Sequence, residues 1–268
     1  MRIAVFGPSG MLGRYVMRST QAAGHEAVPI HRRMFELLNP TSIKHVIEES
    51  KCEGVINCAG MIPLKSSNSI AIDMMQVNGI FPHILVEQTS PLPILLVSTD
   101  CVFSGRNRYK YTTDNTQDPR DYYGKSKAYG EVLASNAMVV RTSFIGCEHG
   151  LMNMVLNAGQ LAKTSDMQVN IDGWKCALWT GSTVQAVADA LVDLLTNKFD
   201  AGIAHLAAEK TTTKFEVVTK LVELNGFNVL VRPVYHPVYN RGLVPTHVLQ
   251  DVYTALDEYK CTQVLKAA

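Results

Sequence analysis

The sequence has no excess of charge, no long apolar run and no closely spaced cysteine pair. Its 25 basic and 24 acidic residues leave a net charge of +1, so neither nucleic acid nor a membrane surface is expected as the main partner. No stretch approaches the ~20 apolar residues that span a bilayer, and no signal-peptide pattern is visible. The six cysteines lack the short paired spacings of zinc sites and disulfide frameworks. We therefore expect a cytoplasmic protein without a metal site.

The first half of the chain alternates apolar runs of strand length with stretches of helical period. Strands are predicted at 2–6, 26–30, 54–58, 93–98 and 138–142. The helices between them are predicted at about 11–23, 41–50, 70–89 and 122–136. Apolar strands that alternate with helices indicate a parallel sheet covered on both faces. With right-handed crossovers, this pattern predicts an α/β fold, a Rossmann-like doubly wound parallel sheet.

The pattern loosens after Arg141. One helix is predicted from Ser182 to Thr196 and another from Thr213 to about Asn225, each beginning with a capping box. The pieces between and after them are short, irregular and rich in Gly, Pro, Tyr and His. We therefore predict a Rossmann domain from 1–142 plus about 181–206, and a smaller C-terminal lobe from about 143–180 and 207–268.

Three glycines stand where the first predicted strand passes into the first predicted helix, in "GPSGMLG". Gly7, Gly10 and Gly13 recur at a spacing of three. The first N–H groups of such a helix are unpaired and lie at its positive dipole end, so they bind a pyrophosphate when no side chain blocks the approach. The stretch therefore predicts a dinucleotide-binding turn, the alternative being an ordinary tight turn.

The second predicted strand ends in "HRR" rather than in an acidic residue. An Asp or Glu at this point would hydrogen-bond the ribose 2′-hydroxyl of NAD. Arg32 and Arg33 would instead bind the 2′-phosphate of NADP through charge-assisted hydrogen bonds. NADP(H) is the expected cofactor, and the alternative is two solvated surface arginines.

A tyrosine and a lysine stand four residues apart near the start of the helix predicted at 122–136. Tyr123 and Lys127 share one helix face at this spacing. A nearby ammonium lowers the pKa of a tyrosine below its usual value of about 10, and such a tyrosine can protonate a ketone oxygen as hydride arrives. Thr99, or alternatively Ser98, can hydrogen-bond the same oxygen from the end of the fourth predicted strand. Together these side chains predict a ketone reductase site.

Six motifs match one known family in order and spacing. They are "GPSGMLG" at 7–13, "VINCAG" at 55–60, "VN" at 77–78, "STDCVF" at 98–103, "YYGKSKAYGE" at 122–131 and "VVRTSFIG" at 139–146. By them the chain resembles the extended short-chain dehydrogenase/reductase family and, within it, the dTDP-4-dehydrorhamnose reductase group. The match is good over residues 1–150 and loose over the remainder.

The resemblance implies an enzyme that uses NADPH to reduce the C4 ketone of a 4-keto-6-deoxy nucleotide sugar. It implies Thr99, Tyr123 and Lys127 as the catalytic triad, a lobe that holds the nucleotide sugar, and a homodimer formed through the long helices beside the sheet. The residues implied to contact the cofactor are Gly7, Ser9, Gly10, Met11, Leu12, Arg32, Arg33, Asn57, Cys58, Ala59, Gly60, Tyr123 and Lys127.

Cys101 replaces the tyrosine that the group usually carries two residues after the catalytic threonine. Strand period places Cys101 on the same face as Thr99 and turns Asp100 away. The chain is similar here to GDP-fucose synthases and other bifunctional epimerase/reductases, in which a cysteine at this offset is an acid/base for epimerisation. A thiol with a pKa of about 8.5 can exchange the acidic protons beside a ketone. Epimerisation at C3, C5 or both is one hypothesis, and a buried cysteine without chemistry is the other.

Several questions stay open at this level. Epimerisation needs a second group on the opposite face of the sugar, and His149, Asn157 and Lys163 fall in the region where the families place it. Trp174 and Trp179 can stack on substrate or fill the core of the lobe. The segment "RGLVPTHVLQD" at 241–251 replaces the group's arginine-proline segment, so dTDP, UDP and GDP all remain open. The alternative function is a noncatalytic NADP-binding regulatory subunit, while a dehydratase is disfavoured because only Asp100 follows Thr99.

Overall fold

The computed structural model of the protein describes residues 1–62, 68–146, 150–165, 167–236 and 238–258. In chain order the strands are β1 Arg2–Phe6, β2 Glu26–Ile30, β3 Gly54–Asn57, β4 Ile94–Thr99, β5 Ala137–Thr142, β6 Phe144–Ile145, β7 Val169–Trp174, β8 Ala177–Trp179, β9 Ser182–Thr183, β10 Gly202–Ala208, β11 Thr212–Thr213, β12 Val229–Val234, β13 Tyr239–Asn240 and β14 His247–Leu249. The helices are α1 Met11–Ala22, α2 Pro40–Ser50, α3 Asn68–Met74, α4 Phe81–Thr89, α5 Tyr122–Tyr129, α6 Gly150–Thr164, α7 Val184–Asn197, α8 Lys214–Leu224 and α9 Val252–Glu258.

A seven-stranded sheet forms the centre of the molecule, with the order β14-β10-β5-β4-β3-β1-β2. Every neighbouring pair in it is parallel. The chain moves outward from β1 to β2 and then returns to the other side of β1 with β3, so the order reverses between β1 and β3. A crevice opens at the carboxyl ends of the strands at such a switch point, and ligands bind there in doubly wound folds. The predicted fold class is confirmed.

Two apolar layers cover the sheet. On one face α1 and α7 bury Leu12, Val16 and Leu191 against alternate residues of the central strands. On the other face α2 and α4 bury Ile43 and Leu85. Strands that are buried on both faces read as continuous apolar runs, which is why β1, β3, β4 and β5 could be predicted from the sequence. The edge strand β2 is mostly exposed or half-buried, with only Ile30 buried.

The C-terminal part builds smaller sheets with their own core. β7 pairs with β12, β8 lies between β11 and β13, and β6 pairs with β9. The apolar sides of α6 and α8 pack over β7 and β12 in this core. β10 runs to Ala208 and β14 forms an edge of the main sheet, so part of the 207–268 segment assigned to the lobe belongs to the sheet instead. The sequence of β14 is short and half exposed, and it gave no strand signal.

Two helices differ from their predictions. The helix predicted at 70–89 is α3 and α4 joined by a π-helical segment, Met75–Ile80. The helix predicted at 122–136 ends at Tyr129, because Gly130 packs so closely on this segment that a Cβ there would lie 1.9 Å from the Asn78 carbonyl oxygen. None of the helices in the described ranges combines the length and hydropathy needed to traverse a bilayer.

Candidate active site

The turn after β1 forms a cradle against the loop after β3. Gly7 has φ +72°, and a Cβ on it would lie 2.8 Å from the backbone of Ala59. The Cys58 N–H donates to the Phe6 carbonyl at 3.0 Å and holds the two loops together. A side chain at Gly7 would meet both a strained conformation and a backbone clash. The glycine is therefore required by this crossing of two loops.

The first turn of α1 opens onto this cradle. Gly10 precedes the helix and offers no side-chain cap, so the first N–H groups are left for another acceptor. A Cβ on Gly13 would lie 2.1 Å from the Gly7 carbonyl oxygen, so the third glycine lets the helix pack against the turn. Ser9 and Gly10 are exposed. An exposed helix N-terminus without a cap suits a phosphate group.

Met11 and Leu12 differ in what they can offer a cofactor. The Met11 side chain lies against Gly146, where an added Cβ would approach its sulfur to 2.4 Å. The Leu12 side chain is buried in the core between α1 and the sheet. Only the backbone of Leu12 faces the cradle, so its side chain is structural.

The two arginines after β2 lie in a short 3-10 turn, and both are exposed. The Arg32 guanidinium donates to the Phe35 carbonyl at 2.7 Å and lies over the Phe35 ring. Arg33 makes no such contact within the described residues. No acidic side chain stands in the turn. The electrostatics therefore suit a phosphate more than a ribose hydroxyl.

The loop after β3 is held by side-chain amides. Asn57 accepts a hydrogen bond from the Ala59 N–H at 3.1 Å. Asn78 bonds both the N–H and the carbonyl of Met61 at 2.8 Å, and it also donates to Ser126 in α5 at 3.1 Å. The loop that contains Cys58, Ala59 and Gly60 is thus fixed against α5, the helix that carries Tyr123 and Lys127.

The catalytic candidates Thr99, Cys101 and Tyr123 meet at the end of β4. The Thr99 hydroxyl accepts a bond from the Cys101 N–H at 3.2 Å, and it interacts with the Tyr123 phenol. The approach of α5 depends on Gly124, because a Cβ there would lie 2.3 Å from the Cys101 carbonyl oxygen. The structure therefore brings these three side chains together.

The backbone path after Thr99 differs from the prediction. The strand ends at Thr99, and Asp100–Val102 form a 3-10 turn, so strand period does not apply to Cys101. Asp100 was expected to face away, but its carboxylate accepts bonds from the Thr99 hydroxyl at 3.2 Å and the Cys101 thiol at 3.4 Å. The 3-10 turn therefore brings the side chains of Thr99, Asp100 and Cys101 into contact with one another.

The pKa of Tyr123 is raised rather than lowered. Burial is the largest cause, and the neighbouring Cys101 and Asp100 add to it, while the hydrogen bond with Thr99 opposes it. Lys127 does not act on Tyr123 as predicted, because its ammonium donates to the Val97 carbonyl at 2.6 Å. The phenol is therefore protonated at neutral pH, which is the state a proton donor needs.

Burial also lowers the pKa of Lys127 to about 8, although the nearby Glu131 and Cys58 favour its charged form. Burial raises the pKa of the Cys58 thiol to about 12, and Lys127 opposes that rise. The Lys127 side chain is only 9% exposed, in contrast to most lysines. Lys127 thus lies close to Cys58 in the loop after β3, and its ammonium loses its proton as the pH rises past about 8.

A buried ion pair lies behind the site. The Arg141 Nη2 donates to Glu131 at 2.8 Å, and the two side chains are 2% and 4% exposed. Glu131 also accepts bonds from Ser98 and Gln117. His205 lies 3.3 Å from Arg141, and its pKa is lowered to about 4 by burial and by the arginine charge. This network holds the carboxyl end of β4 in place through Ser98, which donates to Glu131.

Arg241 enters the site from the lobe. Its Nη1 donates to the Cys101 sulfur at 3.0 Å, and its guanidinium lies 5.3 Å from the Tyr239 ring centroid. Burial, Asp100 and Arg241 act together on Cys101. Burial and Asp100 raise the pKa of the thiol to about 12, and the arginine opposes that rise. A cation from the lobe is therefore in contact with the turn Asp100–Val102.

This geometry agrees with a comparison against known families. A family model described as the RmlD substrate binding domain matches residues 1–261. The chain belongs to this family. The predicted resemblance to the dTDP-4-dehydrorhamnose reductase group is confirmed.

Curated relatives in the family and one solved structure resemble the chain over most of its length. The spore coat polysaccharide biosynthesis protein SpsK of Bacillus subtilis is 25% identical and covers 86% of this chain and 81% of its own. The dTDP-4-dehydrorhamnose reductase of Burkholderia thailandensis is 27% identical over 80% of this chain and 74% of its own. The Bacillus anthracis dTDP-4-dehydrorhamnose reductase, solved in complex with NADP, is 18% identical with a TM-score of 0.81, covering 97% and 99% of the two chains. The last likeness shows the fold.

The other residues predicted to contact the substrate do not lie at the turn Asp100–Val102 in the described part of the chain. Trp179 is buried in the lobe core and donates to Ser143 at 2.7 Å, and Trp174 is half-buried in β7. Asn157 and Lys163 are exposed on α6, where Lys163 lies over the Phe227 ring. His149 lies outside the described residues. Within the described ranges, none of the predicted candidates for the second acid/base group of an epimerisation contacts Thr99, Cys101 or Tyr123.

Sequence reasoning missed Arg241 and the residues beside it. The one signal was that the "RGLVPTHVLQD" segment at 241–251, which begins with Arg241, replaces the group's arginine-proline segment. A contact between residues 140 positions apart depends on how the lobe folds back over the sheet. No local motif encodes that arrangement.

Proposed function

We propose that this member of the RmlD substrate binding domain family reduces the C4 ketone of a 4-keto-6-deoxy nucleotide sugar with NADPH. The observation that carries the proposal is the contact of the Thr99 hydroxyl with the half-buried, protonated Tyr123 phenol at the carboxyl end of β4, on the same edge of the parallel sheet as the turn after β1. Curated relatives named dTDP-4-dehydrorhamnose reductase support the substrate class.

The residues around the cradle fit NADP. The uncapped first turn of α1 suits the pyrophosphate, and Arg33 in the acid-free turn after β2 suits the 2′-phosphate. Asn57 to Gly60 would line the nicotinamide side, with Lys127 beneath them as a donor to the nicotinamide ribose. A family structure solved with NADP supports the same assignment.

Bound NADPH supplies the hydride that adds to the ketone carbon. Tyr123 donates its phenolic proton to the carbonyl oxygen as negative charge develops there, and the Thr99 hydroxyl donates a hydrogen bond to the same oxygen. The carbonyl becomes a secondary alcohol and Tyr123 a phenolate, which solvent reprotonates. Lys127 serves the reaction through the nicotinamide ribose, to which its ammonium donates, rather than through Tyr123.

The test measures NADPH oxidation at 340 nm with the 4-keto-6-deoxy sugar linked to dTDP, UDP or GDP. Tyr123→Phe should lower kcat by roughly 10³-fold, because it removes the proton donor alone. The neighbouring Tyr122 is exposed, so Tyr122→Phe should leave turnover unchanged. Equal turnover by the two variants would refute the assignment. NADPH binding without NADPH oxidation in the presence of any of the three keto sugars would favour the noncatalytic regulatory subunit.

We further propose that Cys101 exchanges a proton at C3 or C5 before the reduction. The contact of Arg241 with the sulfur favours this role, because a guanidinium stabilises a thiolate. The thiolate would remove the proton beside the ketone and leave an enolate on O4 next to Tyr123. A water molecule on the opposite face would return a proton to the carbon, and the hydroxide formed would take the proton from the Cys101 thiol. Burial keeps most of the thiol protonated at neutral pH, so the exchange should accelerate with rising pH.

Deuterium incorporation from heavy water into the keto sugar, without NADPH, tests this second step. Exchange should occur with the unmodified protein and be lost in Cys101→Ser, while reduction by Cys101→Ser is retained. The buried Cys52 lies far along the chain in the core beneath α2, and Cys52→Ser is the matched control. No exchange by the unmodified protein would refute the epimerase role.

We also propose a cytoplasmic homodimer. Support for the location is that Cys52, Cys58, Cys101 and Cys176 are free thiols. Support for the dimer is a set of exposed apolar side chains beside α4 and α5, namely Ile72, Ile80, Tyr129 and Leu133. Light scattering of the unmodified protein should give twice the chain mass, and light scattering of Leu133→Asp should give the mass of a single chain. Leu161→Asp, at an exposed site on α6, is the control, and a monomeric unmodified protein would exclude the dimer.

A further inference from the structure

A short segment, residues 241–246, connects the lobe strand β13 to the sheet strand β14. It begins at Arg241, whose guanidinium donates to the Cys101 sulfur at 3.0 Å. Leu243 is 1% exposed and belongs to one apolar cluster with Val102, the residue after Cys101. The segment therefore lies against the turn at Cys101.

His205 in β10 holds the other end of this segment. Its ring Nδ1 lies 3.1 Å from the Val244 carbonyl oxygen. Its backbone N–H donates to the Thr246 hydroxyl at 3.0 Å, and its carbonyl accepts from the Thr246 N–H at 3.0 Å. The His205 side chain is fully buried. Main-chain and side-chain contacts of one residue thus join the segment to the main sheet.

The two neighbours of the His205 ring fix its tautomer. The Nε2 atom lies 3.3 Å from the Arg141 Nη1. A guanidinium has only donors, so Nε2 must accept, and the Val244 carbonyl only accepts, so Nδ1 must carry the proton. Burial and the Arg141 charge lower the pKa of His205 to about 4, although hydrogen bonding to the backbone of Val244 and Tyr111 opposes this. The ring is therefore neutral at neutral pH, with its proton on Nδ1.

Arg141 gives this ring a fixed neighbour. It forms the buried ion pair with Glu131, and Glu131 accepts a hydrogen bond from Ser98 in β4. The His205 ring is thus the link between the buried network at the end of β4 and the segment that carries Arg241.

We propose that His205 is a positioning residue, which fixes segment 241–246 to the buried network and so holds Arg241 at the Cys101 sulfur. The inference rests on the proposed function for what Arg241 does there, which is to stabilise the Cys101 thiolate during proton exchange. Because Arg241 lies only three residues before Val244, a displacement of the Val244 peptide also moves the Arg241 backbone. A donor that retreats by about 1 Å no longer makes a hydrogen bond, so small shifts matter.

Two substitutions separate the contacts of the two ring nitrogens. The amide nitrogen of Asn lies as many bonds from Cβ as Nδ1 does, so His205→Asn keeps a donor for the Val244 carbonyl. The amide of Gln reaches as far as Nε2, so His205→Gln keeps an acceptor for Arg141 and loses the donor to Val244. The pair therefore tests the anchor of the segment at nearly constant burial of a polar side chain.

The first measurement is hydrogen–deuterium exchange of the backbone amides, followed by mass spectrometry. Protection of segment 241–246 is compared with that of β1, which reports opening of the whole fold. This relative protection should fall by about tenfold in His205→Gln and by less than about twofold in His205→Asn, because the two differ by one hydrogen bond. Nitrogen NMR of the labelled unmodified protein should show the Nδ1–H tautomer of His205.

Asn136→Ala is the matched control for a loss of stability alone. Asn136 is buried just before β5, at the opposite edge of the sheet from Thr99, and it donates to the Leu92 carbonyl at 3.1 Å. Its removal should lower the unfolding temperature while the relative protection of segment 241–246 stays unchanged.

The second measurement is deuterium incorporation into the keto sugar without NADPH. His205→Gln should slow it by about tenfold when Arg241 is present and by less than about twofold in Arg241→Ala. A residue that acts through Arg241 has nothing left to position once the guanidinium is gone.

The outcomes separate this role from the proposed reaction. Equal relative protection of the segment in His205→Asn and His205→Gln, whether kept or lost, would overturn the proposal, as would an Nε2–H tautomer. Equal slowing of sugar exchange with and without Arg241 would also overturn it. No sugar exchange by the unmodified protein would refute the epimerase role alone. The difference in protection between His205→Gln and His205→Asn would then still support the anchor, and its absence would overturn it.

Discussion

The two sides of the candidate active site, which we call the sheet wall and the lobe wall, hold their charges in opposite ways. On the sheet side, Lys127 donates to the Val97 carbonyl and Arg141 is paired with Glu131, all of them buried. On the lobe side, Lys214 and Arg241 lie over an aromatic ring without an ion pair in the described residues. The cations of the first wall have buried partners, whereas Arg241 in the second wall faces Asp100 and Asp121 through space without pairing with them.

This difference separates chemistry from recognition. Groups that act on the ketone must keep one geometry, so they lie at strand ends and are fixed by buried partners. Groups that bind an anionic substrate gain most when no internal carboxylate competes for them. The comparison predicts that mutations on the sheet wall cost stability and that mutations on the lobe wall cost binding.

The largest effect on stability is expected at the buried ion pair. Glu131→Gln leaves the Arg141 charge buried without its carboxylate, so it should lower the free energy of unfolding by about 3–5 kcal/mol. Chemical denaturation measures it. Arg2 and Glu26 form an exposed pair, so Glu26→Gln should cost less than about 1 kcal/mol. Similar losses in both variants would mean that the sheet wall is not held by this pair.

The sheet wall was also the part that the sequence could predict. β1, β3, β4 and β5 are mostly apolar runs. Gly7 directly follows β1, Thr99 is the last residue of β4, and Tyr123 lies in the first turn of α5. Errors arose where tertiary contacts override local pattern. Gly130 ends α5 against the Asn78 carbonyl, and the turn at Asp100 places three side chains on one side. Arg241 reaches Cys101 only through the folding of the lobe, so periodicity could not reveal it.

A second prediction concerns the cradle. Gly7 and Gly24 both have positive φ, at +72° and +77°, but a Cβ at Gly24 would meet no atom within 4 Å. Gly24→Ala should therefore cost only the left-handed backbone, about 1 kcal/mol. Gly7→Ala adds the clash with the Ala59 backbone, about 1–3 kcal/mol more, and it should weaken NADPH binding. Thermal unfolding and NADPH fluorescence titration compare them, and equal behaviour would contradict a cradle shaped by two loops.

A third prediction concerns the charge of Lys127. Its pKa is lowered to about 8 by burial, so the ammonium is lost as pH rises past that value. We expect kcat/KM for the keto sugar to fall above about pH 8. The folded pKa lies below the unfolded value of 10.5, so this group's contribution to stability should instead grow between pH 8 and 10.5 and disappear as pH falls through 8.

Opposite trends of activity and stability with pH are therefore the signature of Lys127. Lys127→Arg should move the alkaline loss of activity beyond pH 10, since a guanidinium stays charged. Lys125 is exposed on the same helix, and Lys125→Met should leave the alkaline limb in place. An activity profile that stays flat to pH 10 in the unmodified protein would show that the charge of Lys127 is not needed.

The smallest effect on stability is expected on the lobe wall. Lys214 is half exposed and its only described contact is with the Tyr239 ring, so Lys214→Ala should change the free energy of unfolding by less than about 1 kcal/mol. The same variant should lose about tenfold in nucleotide affinity. Urea denaturation and calorimetry on one preparation give both numbers. A loss of several kcal/mol in the free energy of unfolding would mean that Lys214 stabilises the lobe. The distinction between a sheet wall that stabilises the fold and a lobe wall that binds substrate would then fail.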